Sequence, residues 1–105
     1  MKKASVQVTL TKIIDQAYPM VGEFLLTSTT SVAVFREKLP VVGVDLELDT
    51  EAELPKIVWM NCTIVLRTCE GTLIDTSLPH RIEDIHGRTR FLVQPNILLM
   101  TQDHE

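Results

Sequence analysis

The chain has 105 residues, 45% of them hydrophobic and 23% charged, and it carries a formal net charge of -4. This length fits one domain spanning residues 1–105, and the apolar content is that of a folded globular protein rather than of a disordered segment. Nonspecific binding to nucleic acid or to an anionic membrane needs clustered lysine and arginine, so the acidic balance predicts no nucleic-acid partner and no membrane association.

The amino-terminal sequence lacks the features of a secretion signal. Two lysines follow Met1, but residues 4–10 alternate polar and apolar side chains and contain no continuous apolar stretch. No segment reaches the roughly 20 apolar residues that a transmembrane helix requires. We therefore expect a cytoplasmic protein.

The first elements along the chain are predicted to be strands. Val6, Val8 and Leu10 alternate with polar residues, and successive side chains of a strand point to opposite faces. Residues 23–28 and 31–38 are rich in the β-branched and aromatic residues that favour strands. The first segment is predicted to be a half-buried strand, and the other two are further strand candidates.

The next strand candidate carries an acid at every second position. The acids are Asp45, Glu47, Asp49, Glu51 and Glu53, called the acidic run below, and no basic residue lies among them. The pattern predicts an amphipathic strand whose inward face is formed by Val42, Val44, Leu46 and Leu48. Thr50 and Lys56 occupy the positions at which an EF-hand loop needs Gly and Glu, so we expect no such loop, although a surface calcium site stays an alternative.

Residues 57–69 are predicted to form one long strand. The even positions from Val58 to Leu66 are all apolar and are predicted to face inward, and Glu70-Gly71 is predicted to be a two-residue hairpin loop leading to a strand at 71–76. Cys62 and Cys69 would lie about 23 Å apart on such a strand, which is too far for a disulfide. Both are predicted to be free thiols, in keeping with a reducing compartment.

One short helix is predicted over residues 78–86. Ser77 is the expected N-cap, Pro79 lies in the first turn, and Gly87 is the expected C-cap residue. Two more strands are predicted after it, at 88–94 and 96–101, with Pro95 between them. The predicted fold is mainly β, a small antiparallel barrel-like or sandwich domain with one short helix near residues 78–86, and an α+β fold is the alternative. A bend in the 57–69 strand, which would let it join both halves, favours the barrel.

Residues 67–90 hold four of the five arginines and most side chains capable of chemistry. Arginine holds carboxylates and phosphates with a planar fork, so this segment is a candidate recognition surface. A solvated turn without a function is the alternative reading of the same charges. The candidate ligand-binding residues are Cys69, Asp75, Ser77, His80, Arg81, Arg88 and Arg90.

Residues 67–90 contain the side chains of two kinds of reactive centre. Cys69 with a nearby histidine and aspartate has the residue types of a thiol nucleophile, but spacing does not show whether they meet. His80 and Asp84 are four residues apart and would share a helix face, but His86 would project elsewhere, and a zinc site needs three or four converging ligands. We therefore predict no catalytic residues and no metal.

The segment Asp75-Thr76-Ser77-Leu78-Pro79-His80 resembles the D-x-S-x-x-G box of PilZ domains, which are β-barrels of about this length that bind cyclic di-GMP. The resemblance covers six residues, and it implies that Asp75 and Ser77 contact the ligand. His80 stands in place of the glycine, and no R-x-x-x-R pair precedes the box at the expected distance.

The sequence supports two hypotheses about function and favours a protein that is not an enzyme. The first is a noncatalytic binding or assembly module in which the acidic run and the arginine-rich segment contact another protein, either a second copy of the chain or a basic partner. The second is a small-ligand-binding or enzymatic β-barrel with its site in residues 67–90. No phosphate-binding or metal motif is present, so we expect no cofactor. For the acidic run alone, charges that protect an edge strand from strand addition are a further alternative.

Overall fold

The computed structural model describes residues 2–43, 54–78 and 80–100, which form a curled antiparallel sheet. A four-residue helix, α1 (Leu39–Val42), follows the third strand, and a 3-10 turn (Pro95–Ile97) precedes the last one. This architecture confirms the predicted fold class. The strands are β1 (Lys2–Asp15), β2 (Val21–Thr27), β3 (Val32–Lys38), β4 (Lys56–Thr68), β5 (Gly71–Asp75), β6 (Arg90–Val93) and β7 (Leu98–Met100).

The sheet has the strand order β3-β2-β1-β4-β5-β6, and β7 pairs with residues 4–6 of β1. Because β7 follows β6 in the chain but pairs with β1, the sheet curls into a half-barrel. Residues 56–64 of β4 pair with β1, and residues 63–68 pair with β5. The long strand therefore joins both halves of the sheet, as the sequence predicted.

The hydrophobic core lies inside the curl. Alternate residues of β1, including Val6, Val8 and Leu10, are fully buried there. Phe35 of β3 and Phe91 of β6 meet edge to face, with ring centroids 5.4 Å apart, which is a favourable geometry for an aromatic pair. The two outermost strands of the sheet order are thus in contact across the core.

Two backbone hydrogen bonds link the outermost strands, β6 and β3, to loops at the other edge of the sheet. The Thr29 amide, in the turn between β2 and β3, donates to the Leu92 carbonyl of β6 at 2.8 Å. The Ile85 amide, in the loop between β5 and β6, donates to the Val34 carbonyl of β3 at 2.9 Å. The loop between β5 and β6 is therefore held against the free edge of β3.

A β-bulge in β4 changes which residues face the core. Ile64 pairs with Ile74, but the register then shifts, so that Leu66 pairs with Leu73 and Arg67 pairs with Thr72. The alternating sequence predicted Leu66 on the inward face, and this was wrong, since 56% of its surface is exposed. An extra residue at a bulge turns the following side chains to the other face.

The helix predicted over residues 78–86 does not form in the described residues of that range, which are turns and irregular backbone. Ser77 accepts one helix-like hydrogen bond from the Arg81 amide at 2.6 Å. Arg81, however, has φ 52°, in the left-handed region, which stops an α-helix. The short α-helix of the fold lies instead at residues 39–42.

Other expectations have mixed outcomes. The hairpin between β4 and β5 exists, but its loop is Cys69-Glu70, one residue earlier than predicted. Both cysteines are free, with Cys62 buried and Cys69 exposed. Val42 is buried, but it belongs to α1 rather than to a strand. The acidic run, with Val44, Leu46 and Leu48, lies outside the described residues. Within residues 2–43, 54–78 and 80–100, no helix has the length and apolar character needed to cross a membrane.

Candidate functional site

The candidate site lies on the loop between β5 and β6, which is anchored by Thr76. The Thr76 amide donates to the Thr89 carbonyl at 2.8 Å, and its hydroxyl donates to the Ile82 carbonyl at 2.7 Å. Ile82 is 1% exposed and inserts into the core. Thr76 thus closes the base of the loop, while Ile82 attaches its middle to the domain.

Asp84 organises the second half of this loop. Its side chain is fully buried, and its Oδ1 accepts hydrogen bonds from the amides of His86 at 2.9 Å and Arg88 at 2.8 Å. Its Oδ2 accepts a bond from Arg88 Nε at 2.7 Å. Burial alone would raise the pKa of this carboxyl, but the hydrogen bonds from Arg88 and His86 and the charge of Arg88 outweigh burial and lower it. Asp84 therefore stays ionised as a structural acceptor.

Asp75 has the same role at the start of the loop. Its Oδ1 accepts a hydrogen bond from the Ser77 amide at 2.7 Å, and its Oδ2 accepts one from Arg90 Nε at 3.2 Å. Asp75 and Arg90 are also direct cross-strand neighbours on β5 and β6. Burial favours a higher pKa for Asp75, but the hydrogen bonds from Ser77 and Arg90 dominate and lower it. Neither loop aspartate is thus suited to accept a proton near neutral pH.

Three arginine side chains are exposed on this loop and at the start of β6. They are Arg81, Arg88 and Arg90, called the arginine surface below. Arg88 and Arg90 have 52% and 58% of their side-chain surface exposed, although each is paired with a buried aspartate. In both pairs the guanidinium donates through Nε, and its terminal Nη groups make no hydrogen bond with the described part of the chain. The aspartates therefore fix the two forks while leaving their outer donors available.

No protein-family model matches the chain, and no curated protein or solved structure matches it significantly. The resemblance to the PilZ box therefore rests on its six residues alone. In the structure both oxygens of Asp75 are already engaged, one by the Ser77 amide and one by Arg90. The role of Asp75 that this geometry displays is to hold the loop.

The structure brings some predicted site residues together and separates others. Asp75, Ser77 and Arg90 converge, as the distances above show. Cys69 lies in the hairpin at one end of β5 and Asp75 at the other end, with about 13 Å of strand between Gly71 and Asp75. His80 is exposed on the loop. No group of three or more His, Cys, Asp or Glu side chains in residues 2–43, 54–78 and 80–100 is placed to hold a metal ion.

Asp84 is the residue whose role the sequence did not reveal. Its spacing from His80 put both residues on one face of the predicted helix, but that helix does not form and Asp84 is a turn acceptor. The local sequence Asp84-Ile85-His86-Gly87 does contain a signal for this role. Aspartate accepts hydrogen bonds from amides two residues on, and Gly87 has φ 78°, which is typical of glycine in a turn.

Proposed function

We propose that this protein is a noncatalytic module whose arginine surface binds carboxylates of a protein partner. The observation that carries the proposal is the fixed orientation of Arg88 and Arg90, whose Nε atoms are held by Asp84 and Asp75 while more than half of each arginine side-chain surface stays exposed. A guanidinium already held in place loses less side-chain entropy when it binds a carboxylate. Bidentate pairing of this kind is specific as well as attractive.

A noncatalytic role is supported by the state of the neighbouring groups. Both loop aspartates are ionised hydrogen-bond acceptors with a lowered pKa, and the Cys69 thiol lies at the far end of β5. A nucleophile needs a base within hydrogen-bond reach. A surface of oriented donors, with ionised aspartates beside it and the Cys69 thiol at a distance, is suited to binding.

The partner proposed here is a second copy of the chain, with the acidic run of one copy meeting the arginine surface of the other. The acids are spaced by two residues, and the sequence places five of them without an intervening base. Opposite charges on two surfaces steer association and determine which partners bind. The two free cysteines suit a reducing compartment, and we place this contact in the cytoplasm.

Size-exclusion chromatography of charge variants tests this proposal. The double substitution Glu47→Lys with Asp49→Lys is expected to shift the wild-type assembly to a smaller species, and rising salt should have the same effect because exposed charges are screened. The matched control Glu70→Lys with Glu83→Lys gives the same formal net charge from exposed acids outside the acidic run. An elution volume that neither the acidic-run variant nor salt changes would refute self-association.

A further inference from the structure

A groove opens at the hairpin end of the half-barrel, between the end of β4 and the segment that leads into β7. Its volume is about 340 Å³, at the lower end of the range of about 300–1,000 Å³ that small-molecule sites occupy. The apolar part of its wall comes from Ile64, Pro95, Leu98 and Met100. Three polar residues complete the wall, and they are Arg67, Thr68 and Thr72.

The β4 bulge places Arg67 in this groove. Without the register shift after Ile64, strand alternation would put Leu66 on the groove side and Arg67 on the outer face. With it, Leu66 is exposed and Arg67 pairs directly with Thr72, whose side chain is on the inner face. Side chains of directly paired residues lie on the same face of a sheet. The bulge therefore exchanges a leucine for a guanidinium at the groove.

Arg67 has no carboxylate partner among the residues that the structure describes. Its one polar contact there is from Nη2 to the Met100 Sδ at 3.6 Å, and a thioether sulfur is a weak acceptor. Arg88 and Arg90, by contrast, are each paired with an aspartate. Arg67 thus holds a positive charge at an apolar groove, and no acid of residues 2–43, 54–78 or 80–100 pairs with it.

Thr72 supplies a second polar group to the same wall. The residue is 4% exposed, and its hydroxyl makes no hydrogen bond with the described part of the chain. No polar side-chain atom of the described residues is buried without a partner, so this hydroxyl reaches solvent, and Thr72 lines the groove. Thr68 differs, because its hydroxyl already donates to the Gly71 carbonyl at 2.9 Å.

We propose that this groove binds a small amphipathic carboxylate, with the carboxylate on Arg67 and Thr72 and the apolar body against Ile64 and Leu98. An anionic head would replace the thioether with a strong acceptor for Arg67, and the tail would remove apolar wall from water. A few polar groups at the end of an otherwise apolar cavity are typical of sites that orient such ligands. This site is separate from the arginine surface and does not depend on the proposed self-association.

Binding of sodium octanoate, with octanol as the uncharged counterpart, tests the proposal by calorimetry and by amide chemical shifts in NMR. Octanoate should bind the wild-type protein at least about tenfold more tightly than octanol, because a hydrogen bond to a charged group is stronger than a neutral one. The largest shifts are expected along the groove wall. Equal affinity for the two ligands, an absence of saturable binding up to millimolar concentrations, or shifts confined to another surface would overturn the proposal.

Two groove variants and one control variant test which side chains contribute to the affinity for octanoate. Arg67→Gln should weaken octanoate binding about tenfold or more and leave octanol binding unchanged, and Thr72→Val should weaken octanoate binding by about twofold to tenfold. Arg36→Gln removes an exposed arginine of β3 that pairs with Glu23, and it should bind octanoate like the wild type. Equal losses in Arg67→Gln and Arg36→Gln would also contradict the site, because they would indicate a general charge effect.

Discussion

Replacing Asp84 tests the role of the buried carboxylate in the loop between β5 and β6. Three hydrogen bonds end on it, two from backbone amides and one from Arg88 Nε. A hydrogen bond to a charged group contributes about 1.5–3 kcal/mol, but the contributions are not additive, and water can replace the carboxylate at the exposed residues His86 and Arg88. We therefore expect Asp84→Ala to lower the free energy of unfolding by about 2–4 kcal/mol.

Urea denaturation followed by circular dichroism measures this change, and Glu83→Ala is the matched control. Glu83 is the exposed neighbour of Asp84 and makes no side-chain hydrogen bond in the described part of the chain, so its loss should cost less than about 0.5 kcal/mol. For a domain of this size, the Asp84→Ala effect corresponds to a Tm decrease of about 10–20 °C. Equal stabilities of the two variants would refute the view that Asp84 holds the loop.

The pH dependence of the free energy of unfolding is a second test of the role of Asp84. The pKa of Asp84 is lowered in the folded state, so the stabilisation from its carboxylate is complete above the unfolded-state pKa of about 3.9 and is lost as pH falls through the folded-state value. Asp84→Asn should therefore lose less stability than the wild type between pH 5 and strongly acidic conditions. An identical acid dependence of the two proteins would contradict this assignment.

Three further predictions concern the core, the β4–β5 hairpin and the thiols. Phe35→Ala should lower the free energy of unfolding by about 3–5 kcal/mol, measured by urea denaturation, since Phe35 is fully buried against Phe91, and a loss below about 1 kcal/mol would contradict this packing. Gly71→Ala should lower the free energy of unfolding more than Gly87→Ala in the same assay. Both glycines have positive φ, but only at Gly71 would an added Cβ lie 2.8 Å from a backbone oxygen, that of Val93. A larger loss in Gly87→Ala would contradict the hairpin geometry. In thiol titration with a chromogenic disulfide, the exposed Cys69 should react in the native protein. Cys62 should react only after unfolding, because burial raises its pKa to about 12. Rapid reaction of both thiols in the native protein would show that Cys62 is not buried.

The strands could be predicted from the sequence because alternation and burial agree over most of their length. Val6, Val8 and Leu10 face the core as their spacing predicts, and the predicted strand at 31–38 differs from β3 by one residue. In these segments one face is buried, so a register error would place a whole row of apolar side chains in water. Local pattern and tertiary packing therefore point to the same structure.

The sequence-based predictions were wrong where a few polar contacts or one extra residue determine the backbone conformation. The segment after Ser77 has helix-like capping residues, but the hydrogen bonds that Thr76 donates and Asp84 accepts, together with the left-handed Arg81, fold it into a loop. The bulge after Ile64 interrupts a pattern that alternation alone would continue to Leu66. Such choices depend on partners that are distant in sequence, so neither the pairing of Arg90 with Asp75 nor the exposure of Arg67 to a groove could be derived from spacing.

The most direct test of the proposed contact is a complementation experiment by sedimentation velocity. The Glu47→Lys, Asp49→Lys variant keeps the arginine surface and loses two acids of the acidic run. The Arg81→Glu variant keeps the acidic run and reverses one charge of the arginine surface. Arg81 is exposed and has no side-chain partner in the described residues. We predict that each variant alone sediments as a smaller species than the wild type and that their mixture forms a heterodimer, because one intact acid–arginine contact remains between them. Variants that assemble like the wild type, or a mixture that sediments as the two separate species, would contradict the contact.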